Sequence, residues 1–183
     1  GYYFLKQQRF VKEAVPVAVN FAQIQTALTQ QVRLTQEAAI PPAELNLKMA
    51  FYTQAPFSDW SMPWQEACEE AAVLLVANTY YKHNWTRENF RDEILKIVAW
   101  ETKTFGDYKH TNVAETARML KEYLGLDSVI HKDPSFADVQ RVLDRGHFII
   151  MTFAGKEIGN PNYKNGGPLY HAMVIKGYKA GEK

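Results

Sequence analysis

Cysteine is nearly absent from this chain: Cys68 is the only one in 183 residues. A single thiol excludes an intrachain disulfide framework and gives no support to a thiolate metal cluster, and neither metal nor cofactor is expected. Charge of one sign is also lacking. The net charge is +1, and no block of Lys and Arg stands out, so nucleic acid is not an expected partner. No run of eighteen apolar residues occurs, and no membrane-spanning segment is expected in this chain. No signal peptide and no internal repeat is visible. The chain opens at a non-methionine Gly1 and stops at Lys183, inside what reads as a sheet. We therefore expect a fragment whose missing N-terminal region held a leader or an anchor.

What is present suits one folded domain. The chain has 183 residues, 46% of them hydrophobic, which is enough to close a core. Residues 1–44 read as an N-terminal arm or linker, with a short extended stretch at Val15, Val17 and Val19 and a Pro41-Pro42 stop. Residues 45–183 read as the core domain, truncated at its C-terminal end. Leu45, Leu47, Met49 and Phe51 alternate as in a half-buried strand. A helix is predicted over 65–83, with Cys68, Ala71, Ala72, Leu75, Val76, Thr79 and Tyr80 as its apolar stripe. Thr86 caps a second helix that buries Phe90, Ile94, Ile97 and Val98. Asn112 with Glu115 opens a third over 113–124, and Ser135 with Asp138 a fourth over 136–144. Strands are predicted over 147–153 and 171–178, separated by a loop rich in Gly, Asn and Pro. Helices and strands segregate along the chain, which is an α+β pattern.

A lone cysteine is usually a buried small hydrophobe. The setting of Cys68 points further. It falls near the first turn of its helix, where free N–H groups and the positive dipole end favour a thiolate. Glu66, Glu69 and Glu70 pull the other way, and they are also ordinary first-turn acids. A nucleophilic thiol needs a base. His83 lies fifteen residues along the same helix, about 22 Å away, and cannot reach. His110 and His131 sit in connections. His171 heads an apolar strand behind a long loop and is the preferred base, with His147 as the fallback. An oxyanion needs donors: the Cys68 amide is one, and Gln54 or the nearer Gln65 the other. A third group orienting the imidazole is harder to place. After His171 only Glu182 is acidic, while Asn160, Asn162 and Asn165 stand in the preceding loop. Phe57, Trp60, Trp64 and Tyr170 either wall a groove for an extended peptide or cover the helix start as core.

The run Leu47 to Pro56, then Trp60, then Cys68-Glu69-Glu70-Ala71, then Phe105-Gly106-Asp107-Tyr108, then His171 to Tyr178 resembles the bacterial peptidase C39-like family. These are papain-like cysteine peptidases related to the bacteriocin-processing peptidases. The resemblance covers roughly residues 45–183. It implies a papain-like fold in which a central helix carrying the cysteine packs on an antiparallel sheet carrying the histidine. It implies Cys68 as nucleophile, His171 as base and Gln54 as oxyanion donor. Fourteen residues separate Gln54 from Cys68, more than in close relatives, and an insertion with Trp60 and Trp64 accounts for the gap. The family's Asp or Asn after the histidine would fall beyond Lys183. The implied activity is hydrolysis of peptide or isopeptide bonds by a Cys68 thiolate paired with the His171 imidazolium, on a peptide or protein substrate. An extracellular or bacterial cell-surface location goes with it. No P-loop accompanies the domain, so the transporter-linked role is not carried over. A noncatalytic peptide-binding module and an acyltransferase or transglutaminase-type enzyme are the alternatives.

Overall fold

The computed structural model describes residues 42–161, 163–179 and 181. The stretch at Val15 to Val19 and nearly all of the arm lie outside them, as do Asn162 and Glu182. The chain is α+β. In order come β1 (Glu44–Asn46), α1 (Cys68–Tyr81), α2 (Arg87–Phe105), α3 (Val113–Arg118), α4 (Phe136–Asp144), β2 (Ile149–Phe153), β3 (His171–Ile175) and β4 (Gly177–Lys179).

The helix starts follow local chemistry. Thr86 accepts from the Asn89 amide, Asn112 from Ala114 and Glu115, and Ser135 from Asp138, each closing a capping box. The stops do too. α2 ends at Gly106 with φ 92°, a conformation glycine adopts without strain. α3 continues into a π turn, Met119–Tyr123, so the stretch predicted over 113–124 is helical but not one regular α-helix.

α1 is shorter than predicted and differently buried. It ends at Tyr81 because Lys82 turns left-handed at φ 56° and His83 donates back to the Asn78 carbonyl. Trp64–Glu66 form a separate 3-10 turn ahead of it. No single stripe is buried. Glu69, Glu70, Val73, Leu74 and Ala77 are covered as well, while Tyr80 is exposed. A helix buried all round is a central element. Its neighbours are Phe90, Ile94 and Ile97 of α2, Met119 and Leu120 beyond α3, and Ile150 and Val174 of the sheet. Each fully buried Leu, Ile or Phe contributes about 2 kcal/mol, so this cluster dominates the stability of the fold.

The strands are also shorter than their sequence patterns. The alternation from Leu45 runs through Met49 and then breaks: Phe51 is 80% exposed. Tyr52 takes the inward place instead, stacking on Phe90 at 4.8 Å and donating its hydroxyl to the Trp85 carbonyl. β2 begins at Ile149 rather than at His147, because the His147 amide still closes the end of α4 on Val142. The last predicted strand is divided at Lys176. β3 pairs antiparallel with β2, Phe153 opposite His171 and Ile149 opposite Ile175, and β4 pairs antiparallel with β1. The division lets one stretch of chain serve two partners, and the Leu47 amide bonds the Lys176 carbonyl at the junction.

Gly177 starts β4 because nothing larger fits. A Cβ there would stand 2.2 Å from the Leu45 carbonyl oxygen, a backbone atom that cannot step aside. Gly177→Ala is therefore expected to lower stability by about 2 kcal/mol, read as a reduced urea midpoint. An unchanged midpoint would show that the β1–β4 pairing contributes nothing.

Candidate active site

Cys68 is the first residue of α1 and is 9% exposed. Ala67 before it supplies no side-chain cap. The thiol donates to Glu69 Oε2 at 2.9 Å, and the backbone of Ala172 in β3 lies near the sulfur. The helix start does not activate the thiol. Burial, then the neighbouring Glu69 carboxylate, push its pKa far above the ordinary thiol value. Magnitudes decide this. A helix dipole offers about 0.3–1 kcal/mol to an anion at its N-terminus. A carboxylate some 4 Å away opposes a thiolate by about 4 kcal/mol at an effective dielectric of 20, before desolvation is added.

His171 heads β3, half-buried. Its ring meets Phe153 edge-on at 5.5 Å and Tyr163 at 6.0 Å. Burial lowers its pKa, favouring the neutral imidazole. Strand alternation explains its surroundings. Ala172 and Val174 face α1 and the core, so His171 and Met173 share the other face, where the Tyr163 hydroxyl lies 3.9 Å from the Met173 sulfur. α1 packs directly against β3, which places Cys68 beside the residue that follows His171. No hydrogen bond joins the thiol to the imidazole among the described residues.

Gln54 is engaged elsewhere. Its Nε2 donates to the carbonyls of Trp64 (2.8 Å) and Gln65 (3.2 Å), which uses both amide hydrogens to hold the 3-10 turn before Cys68. Gln65 is exposed on that turn. His147 is exposed where α4 ends, and Asn165 occupies a left-handed position, φ 53°, in the loop before β3. The aromatics divide. Trp64 packs against the core, whereas Trp60 is open to solvent and Phe57 sits under the guanidinium groups of Arg87 and Arg91.

A buried acidic cluster adjoins the thiol; Glu69 and Glu70 are expected from sequence as acids opposing a thiolate, but neither their burial nor Glu101 was foreseen. Glu69, Glu70 and Glu101 are all buried. Glu101 Oε1 accepts from the Thr111 hydroxyl at 2.9 Å, and the Tyr170 hydroxyl donates to the Thr111 carbonyl at 3.1 Å while standing beside Glu69. Glu70 faces Glu101. Burial and that neighbour push Glu70 up to about 10, and burial raises Glu101 too. Such a pair holds at least one proton at neutral pH. Burial likewise raises Glu69 above the ordinary carboxylate range. A sequence signal existed for one member: Phe90, Ile94, Ile97 and Glu101 continue a single inward spacing of α2. For Glu69 and Glu70 the signal was weaker, since first-turn acids ordinarily reach solvent.

Among the described residues, no group of three or more His, Cys, Asp or Glu side chains is arranged to hold a metal ion, and no helix is long and apolar enough to cross a membrane. No curated protein and no solved structure matches the chain. The peptidase C39-like family matches residues 46–183, with helices and small antiparallel sheets compatible with a papain-like fold. That match takes in Cys68, His171 and every element described above except the first two residues of β1, and the chain belongs to the peptidase C39-like family.

Proposed function

We propose that the domain is a papain-like thiol hydrolase acting on peptide or isopeptide bonds of a protein or peptide substrate, outside a bacterial cell or on its surface. One observation carries the reading within this family: the thiol heads α1, and α1 packs directly against β3, the strand that His171 begins. In the resting state the pair is a neutral thiol and a neutral imidazole, since burial raises one pKa and lowers the other. Catalysis then begins as a proton transfer. The imidazole first turns from its place against Phe153 and Tyr163 toward α1; the thiol leaves Glu69, its proton passes to His171, and sulfur attacks the carbonyl carbon. The Cys68 amide, with the Gln54 amide once it is released from Trp64 and Gln65, receives the oxyanion. His171 returns the proton to the leaving amine, and water hydrolyses the thioester.

A second reading is a noncatalytic peptide-binding module. The bond from the thiol to Glu69 and the double engagement of Gln54 favour it, because both withhold groups that catalysis needs. A peptide-library digest separates the two. Cleavage by the wild-type chain that falls at least about 1000-fold in Cys68→Ala supports the hydrolase. Peptide binding without cleavage, unchanged in Cys68→Ala, supports the module.

A further inference from the structure

We propose that Glu69 is a positioning residue for Cys68, a latch whose carboxylate accepts the thiol hydrogen and keeps the nucleophile in its S–H form in the resting protein. The meaning of the latch for catalysis rests on the hydrolase reading; the latch itself rests on geometry. The thiol donates to Glu69 Oε2 at 2.9 Å inside the fold, where both residues are buried. Glu69 is 2% exposed, and its other oxygen, Oε1, has no hydrogen-bond partner among the described residues. A buried carboxylate holds such a donor, because releasing it leaves an acceptor oxygen unpaired away from water.

The groups around this bond explain why it holds. On α1 itself, Glu70 lies next along the chain and is protonated against Glu101 of α2, so neither offers Glu69 a cation. Glu66, in the 3-10 turn ahead of α1, adds negative charge. From β3 comes the backbone of Ala172, near the sulfur, and from the segment before it the Tyr170 hydroxyl, which donates to the Thr111 carbonyl and stands within reach of Glu69. No Lys, Arg or His is among the largest influences on the thiol or on Glu69. The latch is therefore a charge-assisted bond in an acidic pocket. Tyr170 stands beside Glu69 and immediately precedes His171 in the chain, so a turn of its hydroxyl toward Glu69 would supply the donor needed to free the thiol.

The test is alkylation of the single thiol of the full chain by iodoacetamide from pH 6 to pH 10, followed by mass spectrometry. The latch predicts that the wild-type rate still climbs at pH 10. It also predicts that Glu69→Gln, folded by near-UV circular dichroism, reacts about tenfold faster at pH 8, the effect of one pKa unit on the thiolate fraction. Glu70→Gln is the control: it alters the same buried cluster without touching the thiol bond, and its rate should stay within twofold of wild type. The latch is overturned if Glu69→Gln alkylates no faster, or if Glu70→Gln accelerates as much, since general loosening would then explain both. Should Glu69→Gln fail to fold, Glu69→Asp decides: its shorter side chain draws the carboxylate back from the thiol, so faster alkylation than wild type at pH 8 supports the latch and an unchanged rate refutes it. Peptide cleavage does not enter this readout, so a faster Glu69→Gln thiol in a protein that cleaves nothing keeps the latch and removes the hydrolase.

Discussion

Glu70→Gln is expected to stabilise the protein at alkaline pH and to leave its stability nearly unchanged near pH 4.5. Glu70 is wholly buried, and neither of its carboxylate oxygens has a hydrogen-bond partner among the described residues. It titrates near 10 because burial, and then the facing Glu101, penalise its charged form. In the unfolded chain the same group titrates in the ordinary carboxylate range. The folded protein therefore carries a proton there that the unfolded chain gives up above about pH 4.5. Stability from such a group is complete below its unfolded pKa and is lost as pH rises toward its folded pKa. The expected slope is about 1.4 kcal/mol per pH unit across that window. Glu101, raised to about 7, adds to the decline in the lower part of it.

Glutamine keeps the shape of the protonated acid without needing a proton, and its amide can donate to Glu101. The wild-type curve should fall with pH while the variant curve stays flatter, the gap reaching about 5 kcal/mol by pH 8. Urea unfolding at pH 4.5, 6, 8 and 9 measures it. Parallel curves would mean that the buried pair does not hold its proton. The result bears on the site, because Glu70 follows Glu69 on α1 and shares its surroundings.

Much of the scaffold was legible because its signals are local. The caps at Thr86, Asn112 and Ser135 each involve residues within one turn, and a sequence displays them directly. The strand ends were not, because they depend on partners far along the chain. Phe51 continues an alternating pattern, yet Tyr52 finds Phe90 and Trp85, and tertiary packing overrides the period. Lys176 lies within a stretch that reads as one strand, and only its bond to Leu47 and the pairing of Gly177 with β1 divide it. The site divides in the same way. The place of Cys68 at a helix start and of His171 at a strand head could be read from neighbouring residues. The partners of their polar atoms could not. Gln54 is a loop residue in sequence, and its two carbonyl acceptors become visible only when the turn at Trp64 folds back on it. The acids beside Cys68 look like exposed first-turn residues until α1 proves to have no solvent face there.

His171→Ala is expected to cost the hydrolase about 100- to 10,000-fold in kcat/KM while changing stability by less than about 1 kcal/mol. The two expectations are separable because of where His171 stands. It is at the head of a strand, half-buried, on the face away from α1, and its neighbours are the edges of Phe153 and Tyr163 rather than hydrogen-bond partners. Removing the ring leaves no buried polar group unpaired. Its chemical role is set by protonation. Burial lowers its pKa below 6.5, so at neutral pH the imidazole is free to take a proton. The thiol, with its raised pKa, does not ionise by itself in that range. The acid limb of the rate profile should then belong to His171: activity falls as pH drops below 6.5 and the base fills with its proton, with no loss from thiol protonation above it. In His171→Ala that limb should vanish along with most of the rate, and added imidazole should restore part of it. A variant that cleaves as fast as wild type, with the acid limb intact, would remove His171 from the mechanism and leave Glu69, the group already bonded to the thiol, as the base to test next.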